Sequence, residues 1–138
     1  MAVLVSRICQ LRRRVFVCKS EAAAACQYCG RSFCSSHGVV LADGQEVCNR
    51  KFCVAKRVDL EAHLAYRHKA EARNADGRCG IEGCEASPGG HCVRCKGSYC
   101  YRHVEGREDT LLVNRVRIHR VASLCRHCWV RRPIWLRT

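Results

Sequence analysis

The sequence predicts a small α+β fold built from two tandem modules, each with short hairpins and a helix. The pattern C-x2-C-x4-C-x2-H occurs at residues 26–37 and returns at 92–103, an offset of 66 residues. The same offset relates Cys18 to Cys84, which lie upstream of the two copies. The chain also has 14 cysteines among 138 residues. Modules of this size rarely bury enough apolar surface without disulfides or metal, so the cysteines are expected to hold the fold together.

The cysteine spacing indicates zinc rather than disulfide bonds. Residues 1–7 contain only a four-residue apolar run and then an arginine, which does not fit a signal peptide, and no apolar run is long enough for a membrane span. The expected location is therefore cytoplasmic or another reducing intracellular compartment, where thiols stay reduced. C-x2-C pairs with nearby histidines have the spacing that tetrahedral zinc requires. The predicted fold class is thus zinc-stabilised α+β.

The chain is strongly basic before metal is counted, with a formal net charge of +13. If all fourteen cysteines bind four zinc ions as thiolates, ligands and metals together contribute six negative charges, and the net charge falls to +7. Part of the arginine and lysine excess would then neutralise the thiolate sites. The holo-protein is expected to be moderately basic.

The predicted elements of the first module follow its cysteines in order. Residues 7–18 have the pattern of two short strands with an arginine-rich tip, a hairpin that carries Cys9 and Cys18. The C-x2-C knuckle comes next, and residues 39–47 form a second hairpin with Asp-Gly at its turn. Apolar residues at helical spacing then predict a helix over about 54–73. Knuckle, hairpin and helix in this order are the layout of a treble clef.

A module boundary is predicted between residues 73 and 74. The segment 69–78 has no apolar residue larger than alanine and contains Asn-Ala-Asp-Gly, which favours a turn. The first module is therefore expected to cover residues 1–73 and the second 74–138.

The second module repeats the knuckle and then has a longer hairpin. Residues 110–113 and 115–121 are strand-like and are separated by one asparagine. Side chains alternate along a strand, which places Arg115 and Arg117 on one face. Residues 129–138 are expected to form a basic tail.

Sixteen residues can be assigned as ligands of four zinc ions. Each module offers four consecutive ligand pairs, and only four residues separate the second pair from the third, which favours sending alternate pairs to different metals. This cross-brace grouping predicts four sets: Cys9, Cys18, Cys34 and His37; Cys26, Cys29, Cys48 and Cys53; Cys79, Cys84, Cys100 and His103; and Cys92, Cys95, Cys125 and Cys128.

A different grouping competes in the first module. The last two cysteines of that module, followed by His63 and His68, look like a two-Cys/two-His finger, although the central spacing is short for that family. This grouping would leave Cys9 and Cys18 without a metal. The all-cysteine scheme is therefore preferred, with His63 and His68 on the helix surface. His127 lies beside a predicted ligand in the sequence and is expected to contact that ligand without binding the metal itself.

The alternating ligand pairs resemble the binuclear treble clefs of the RING, FYVE and B-box families. The run 91–95 followed by Cys100 is most similar to FYVE. A FYVE resemblance would imply phosphoinositide binding, but residues 88–92 keep one histidine and lack the arginine of the family's basic motif. Membrane binding is therefore not expected.

An enzyme with its own active site is not expected, because catalytic zinc keeps an open coordination position and these sites have four ligands each. The RING resemblance implies instead a protein-interaction module, in its narrowest form a ubiquitin-ligase scaffold that recruits a conjugating enzyme through apolar zinc-loop residues. The positions that match are Ile81, Leu124 and Trp129, with Arg131 or Arg132 as the accompanying cation.

Binding to RNA or DNA is the alternative function. The arginines that could contact phosphates lie on the two hairpins: Arg12, Arg13, Arg14, Arg115 and Arg117. No aromatic-basic strand motif of an RNA-binding sheet and no base-reading helix row is present in the sequence. The protein-interaction hypothesis therefore leads, and it does not name the partner.

Overall fold

Short antiparallel hairpins and one long helix form most of the regular structure in residues 6–137, the part of the chain that the computed structural model describes, without the side chain of Arg13. In chain order the elements are β1 (Arg12–Arg13), β2 (Phe16–Val17), β3 (Ala24–Ala25), β4 (Ser32–Phe33), β5 (Gly38–Val40), β6 (Glu46–Cys48), α1 (Lys51–Ala75), β7 (Gly90–His91), β8 (Ser98–Tyr99), β9 (Val104–Val113), β10 (Val116–Cys125), α2 (Arg126–Val130) and α3 (Arg132–Leu136). Each odd-numbered strand pairs with the next strand. The small α+β fold with short hairpins is as the sequence predicts.

Packing divides the chain into two compact units, Met1–Val58 and Asp59–Arg137. The division falls inside α1, before the boundary at 73/74 that the sequence predicts. The cause is the packing of the later helical turns, because Tyr66 contacts the core of the second unit and the Asn74 side chain bonds the backbone of Ser98 at 2.8 and 2.9 Å. The functional boundary at 73/74 stays a prediction.

The core of the first unit consists of thiols, one aromatic ring and a few aliphatic side chains. Ala24 lies opposite Phe33 in the β3–β4 pair, and Val39 lies opposite Val47 in the β5–β6 pair. Phe33 and Val47 are buried among the cysteines. A side chain at Gly38 would overlap the Phe33 ring, so this position requires glycine. So thin a core leaves stability dependent on what the cysteines bind.

The knuckle of the second unit repeats that of the first in backbone conformation. Gly30 and Lys96, which are 66 residues apart, both have positive φ values, 73° and 63°. In each knuckle this residue donates its N–H to the carbonyl of the first cysteine, at 2.8 Å from Gly30 to Cys26 and at 3.0 Å from Lys96 to Cys92. The repeat seen in the sequence is therefore a repeat of structure.

One aromatic position differs between the two cores. Tyr99 occupies the place of Phe33, and its ring is buried against Gly80 and Gly97. A Cβ atom at Gly97 would lie 2.5 Å from the Tyr99 hydroxyl. The equivalent of Gly97 in the first unit is Arg31, where the aromatic residue has no hydroxyl to accommodate.

The β9–β10 hairpin is longer than the sequence predicts, with ten residues in each strand. Its turn consists of Asn114 and Arg115, both with positive φ (50° and 67°), as in a type I′ turn. Arg115 therefore lies in the turn and does not share a strand face with Arg117, which corrects the prediction. The first half of β9 is rich in polar residues, so its sequence does not have the pattern of a strand. Asp109 in this half is nevertheless fully buried, because its charge is compensated inside the unit.

Asp109 is held by two arginines. Its carboxylate accepts hydrogen bonds from Arg94 at 2.7 Å and from Arg120 at 3.1 Å. Burial acts to raise the pKa of Asp109, but the hydrogen bonds and charges of Arg94 and then Arg120 outweigh burial and lower it. This cluster ties the knuckle of the second unit to its long hairpin.

The prediction of a basic tail over 129–138 is wrong for residues 129–136, which contribute to two short helices, and Thr138 lies outside the described residues. Pro133 lies in the first turn of α3, where its missing N–H costs nothing. Asp59 accepts hydrogen bonds from Arg131 at 3.0 and 2.6 Å and from Trp135 Nε1 at 2.5 Å. These contacts fix α3 on the helix α1 within the second unit. Among the helices of residues 6–137, none has the length and apolarity of a membrane span.

Candidate metal centres

Four groups of cysteine and histidine side chains converge, and within each group the four ligand atoms lie within 4.8 Å of one another. Site 1 and site 2 lie in the first unit, and site 3 and site 4 in the second. Site 1 contains Cys9, Cys18, Cys34 and His37; site 2 contains Cys26, Cys29, Cys48 and Cys53; site 3 contains Cys79, Cys84, Cys100 and His103; site 4 contains Cys92, Cys95, Cys125 and Cys128. The structure brings together the sixteen residues in the cross-brace grouping that the spacing indicates, and each group could hold a metal ion.

The distances within site 1 and site 3 fit a tetrahedral ion. At site 1, His37 Nδ1 lies 3.5 Å from Cys9 Sγ and 3.3 Å from Cys34 Sγ. At site 3, His103 Nδ1 lies 3.2 Å from Cys100 Sγ. A tetrahedron with metal–sulfur bonds of about 2.3 Å and metal–nitrogen bonds of about 2.0 Å has sulfur–nitrogen edges of roughly 3.5 Å. Both mixed sites therefore present Nδ1 as the histidine ligand.

The all-cysteine sites have the same dimensions. Cys29 Sγ lies 3.7 Å from Cys48 Sγ at site 2, and Cys95 Sγ lies 3.9 Å from Cys125 Sγ at site 4. These distances match the edge of about 3.8 Å expected between sulfurs on one ion, and they are far longer than a disulfide bond of about 2.05 Å. All fourteen cysteines are free thiols. The geometry therefore favours a metal ion over disulfides.

The thiols of site 2 and site 4 share protons with one another. Hydrogen bonding to Cys48 lowers the pKa of Cys26 to about 4, while the same contact raises the pKa of Cys48 above its ordinary value. At site 4, hydrogen bonding to Cys125 lowers the pKa of Cys92 and raises that of Cys128. Thiolates this close repel one another, so four of them can coexist only around a cation.

The two all-cysteine sites have different neighbours. At site 2 the guanidinium of Arg50 lies beside the thiols, and its pKa is raised first by a hydrogen bond with Cys29 and then by the charges of the cysteines. At site 4 the Tyr99 hydroxyl lies 3.1 Å from Cys95 Sγ. Burial raises the pKa of Tyr99, so the hydroxyl keeps its proton and can donate it to the sulfur. Sequence analysis overlooked this role, although the change from Phe33 to Tyr99 was a visible signal.

Tyr99→Phe should accelerate zinc release from the second unit by about tenfold, because hydrogen bonds to a ligand contribute on that order to metal affinity. The variant removes only the hydroxyl and recreates the aromatic residue of the first unit. Release to a chromophoric chelator would be followed by absorbance in both proteins. Tyr101→Phe is the matched control, since Tyr101 is 81% exposed. Equal release rates for Tyr99→Phe and the wild type would exclude the hydroxyl from tuning site 4.

The finger-like alternative does not occur in the structure. His63 is buried, and its Nδ1 lies 3.0 Å from Nε2 of His127 with the two rings stacked at an interplanar angle of 2°. His68 is exposed and belongs to no metal group of the described residues. The expectation that His63 lies on the helix surface is wrong, because the later part of α1 packs into the second unit. Burial, followed by the charge of Arg131, lowers the pKa of His63 to about 4.

The residues proposed for partner binding are mostly engaged within the second unit. Leu124 is 0% exposed, so its assignment to a partner surface is wrong. The guanidiniums of Arg107 and Arg132 lie over the Trp129 ring, at 4.9 and 5.3 Å from its centroid. Arg131 donates a hydrogen bond to Asp59. Ile81 is half-buried: it packs against the core and keeps part of its surface accessible.

The residues proposed for phosphate binding are exposed on two hairpins of different units. Arg12 lies in β1 and Arg14 in the turn of the β1–β2 hairpin; the side chain of Arg13 is outside the described part. Arg115 and Arg117 are exposed on the β9–β10 hairpin. Sequence analysis did not single out Phe16, which is 76% exposed beside Arg14 at the first tip.

Comparison with known proteins finds no matching protein-family model, no similar curated protein and no similar solved structure. The resemblance to RING, FYVE and B-box modules therefore depends on the ligand pattern alone. The chemistry of the sites must carry the functional interpretation.

Proposed function

We propose that this chain is a zinc-binding protein-interaction module whose two units are each stabilised by two structural zinc ions. The observation that carries the proposal is the convergence of sixteen ligands into four groups with tetrahedral dimensions. Three or four thiolates at a site favour a soft or borderline cation, and a single tetrahedral site favours zinc among these. Four protein ligands close each site, so the metal stabilises structure and does not activate water.

The treble clef is the form of zinc module that we propose for both units. Cys53 lies in the first turn of α1, directly after the β5–β6 hairpin. Cys128 lies in α2, directly after the β9–β10 hairpin. A knuckle, a hairpin and a helix that carries the last ligand support this layout, with the helix of the second unit much shorter than predicted.

Protein interaction is favoured by the apolar surface that the hairpins expose. Large apolar side chains at the far end of β9–β10 are solvent-accessible: Val113, Val116 and Ile118 on one face of the hairpin and Leu112 on the other. Exposed apolar surface of this kind commonly marks a contact site. A ubiquitin-ligase scaffold is a narrower form of the proposal. Of its three apolar anchor positions, Ile81, Leu124 and Trp129, Ile81 has the most support because part of its surface stays accessible.

Nucleic-acid binding is the second candidate, favoured by the tip of the β1–β2 hairpin. Arg12, Arg14, Val15 and Phe16 are all exposed there. An exposed aromatic ring beside arginines can stack on an unpaired base while the guanidiniums contact phosphates. Arg14 lies in the turn of this hairpin with a positive φ of 58°.

One experiment separates the two functions. The tagged, zinc-loaded chain and its Arg12→Ala/Arg14→Ala variant would be purified from cells with and without nuclease treatment, and co-purifying proteins would be quantified by mass spectrometry. We expect the same protein partners in all four samples, because a protein interface does not require nucleic acid.

Loss of the partners after nuclease treatment would support the second candidate. In that case the arginine variant should bind a single-stranded oligonucleotide more weakly and with a shallower salt dependence, by about one unit of slope for each phosphate contact removed.

A further inference from the structure

The second unit contains a cavity of about 440 Å³. Cys128 is the one candidate metal ligand that lines it among the described residues. Leu60 and His63 of α1 line one side, Leu111 and Leu112 of β9 line another, and Trp135 of α3 closes the third. Pockets of this volume hold small molecules or a few side chains of a bound peptide. The pocket is therefore large enough for a specific anchor.

The walls of this pocket are held in place by polar contacts behind them. Asp59 binds both Arg131 and Trp135, which fixes α3 on α1. Arg94 binds the Asp109 carboxylate at 2.7 Å and the Thr110 carbonyl oxygen at 3.2 Å, which fixes the adjacent strand. A preformed pocket loses less entropy on binding than one that must be ordered.

The lining is apolar on one side and positively charged on the other. Leu112 is 42% exposed, and the half-buried Leu60 and Leu136 complete the apolar side. The charged side contains three arginines, Arg94, Arg131 and Arg132. A ligand for this pocket needs an apolar group and a negative charge close together.

The charge on this side of the pocket is only partly compensated. Asp59 neutralises Arg131, and Asp109 is shared between Arg94 and Arg120. Arg132 donates to the carbonyl oxygens of Trp129, at 3.0 Å, and Glu108, and in the part of the chain that the structure describes it has no ion pair. The nearby Glu108 carboxylate contacts His119, 3.3 Å away. An excess of positive charge therefore remains at the pocket.

We propose that this pocket binds an acidic peptide segment of a partner protein, with one leucine- or phenylalanine-sized side chain as the apolar anchor. The anchor contacts Leu60, Leu112 and Trp135, and an adjacent carboxylate pairs with Arg132. Charge complementarity to Arg132, the pocket arginine without an ion pair among the described residues, selects an acidic segment over a basic one. The inference rests on the proposed protein-interaction function and adds the chemistry of the partner.

The test is a selection of phage-displayed random dodecapeptides on the immobilised, zinc-loaded full chain. We expect enriched peptides to share a large apolar residue next to aspartate or glutamate. Binding of a fluorescein-labelled selected peptide, measured by polarisation, should weaken by about tenfold or more in Leu112→Asp, because an anchor in a pocket dominates such interfaces. Arg132→Glu should weaken it similarly, and Leu112→Ala gives a milder version should Leu112→Asp fold poorly.

Two exposed positions of the second unit provide matched controls. Val121 is 79% exposed and does not line the pocket, so Val121→Asp should bind the peptide as the wild type does. Lys69→Glu changes the net charge as Arg132→Glu does, and Lys69 is an exposed residue of α1 that does not line the pocket. Equal weakening in Lys69→Glu would replace the pocket with general charge attraction and overturn the proposal.

Two further outcomes would overturn it. One is enrichment of peptides without acidic residues, or equal enrichment on Leu112→Asp. The other is salt-sensitive binding of a labelled oligodeoxythymidine that requires Arg132 and tolerates Leu112→Asp, which would make this a phosphate-binding surface. Failure of the proposed function has a different signature, since protein partners would then disappear on nuclease treatment whether or not the pocket binds peptides.

Discussion

Native mass spectrometry of the fully reduced chain should show four zinc ions per protein, and their removal should unfold both units. The sixteen candidate ligands form four groups of four, and sulfur–sulfur distances of 3.7 to 3.9 Å within them leave space for an ion. A structural zinc site contributes on the order of 10 kcal/mol of folding free energy at neutral pH. Net stability is only about 5 to 15 kcal/mol for a typical domain, so neither core should persist without its metal.

Circular dichroism during titration with a strong chelator would follow the unfolding. Alkylation of the chelated, unfolded chain without reductant serves as the control, and it should modify all fourteen cysteines if none forms a disulfide. A mass with two or fewer zinc ions in the reduced protein, or retention of structure after complete zinc removal, would contradict the four-site assignment.

Cys18→Ser should lower the zinc count from four to three at stoichiometric zinc, whereas His68→Ala should leave it at four. Cys18 provides one of the three thiolates at site 1, where Cys18 Sγ lies 3.9 Å from Cys34 Sγ. A hydroxyl is a far poorer ligand for zinc than a thiolate, so the ion should be lost from the site. His68 is exposed and outside the four groups. Native mass spectrometry of the three proteins compares them directly.

His63→Ala is the second half of this comparison. His63 contacts His127 and not a metal ligand group, so its removal should lower thermal stability and keep four ions. The opposite pattern, three ions in the histidine variants and four in Cys18→Ser, would restore the finger-like grouping of the first unit.

The four groups of converging cysteine and histidine side chains could be predicted because they depend on local spacing. Each knuckle fixes its two cysteines within one turn, and the offset of 66 residues relates five of the eight candidate ligands of the first copy to their counterparts in the second. Cys9 and Cys79, at the beginning of each repeat, lack this exact offset, yet both lie in the mixed sites. For these two cysteines, the better basis for the assignment was the repeated register of their partners, Cys18 and Cys84.

The parts that the sequence could not predict depend on contacts between distant residues. Asp59 meets Arg131 and Trp135 across 72 and 76 residues, so the expected basic tail becomes helical and the charge of its Arg131 is compensated. Asp109 appears as a surface residue in a polar stretch until two arginines from other segments bury its charge. No periodicity within either segment contains this information, because the compensating charge lies elsewhere in the chain.

Leu124 illustrates the same limit for function. Its position before a zinc ligand resembles that of a contact residue in a RING loop, but β10 continues to Cys125 and carries Leu124 into the core. The length of a strand is determined by its partner strand, and the pairing of Leu124 with Glu105 could not be read from either segment alone.

The pairing of Gly97 with Tyr99 restricts how one type of unit can change into the other during evolution. A Cβ atom at position 97 would lie 2.5 Å from the Tyr99 hydroxyl and 2.8 and 2.9 Å from its ring carbons Cζ and Cε2, so this backbone requires glycine while the ring is in place. A side chain at position 97, such as the Arg31 of the first unit, therefore requires the aromatic ring to move as well. The two positions cannot be exchanged independently, which makes the two substitutions epistatic.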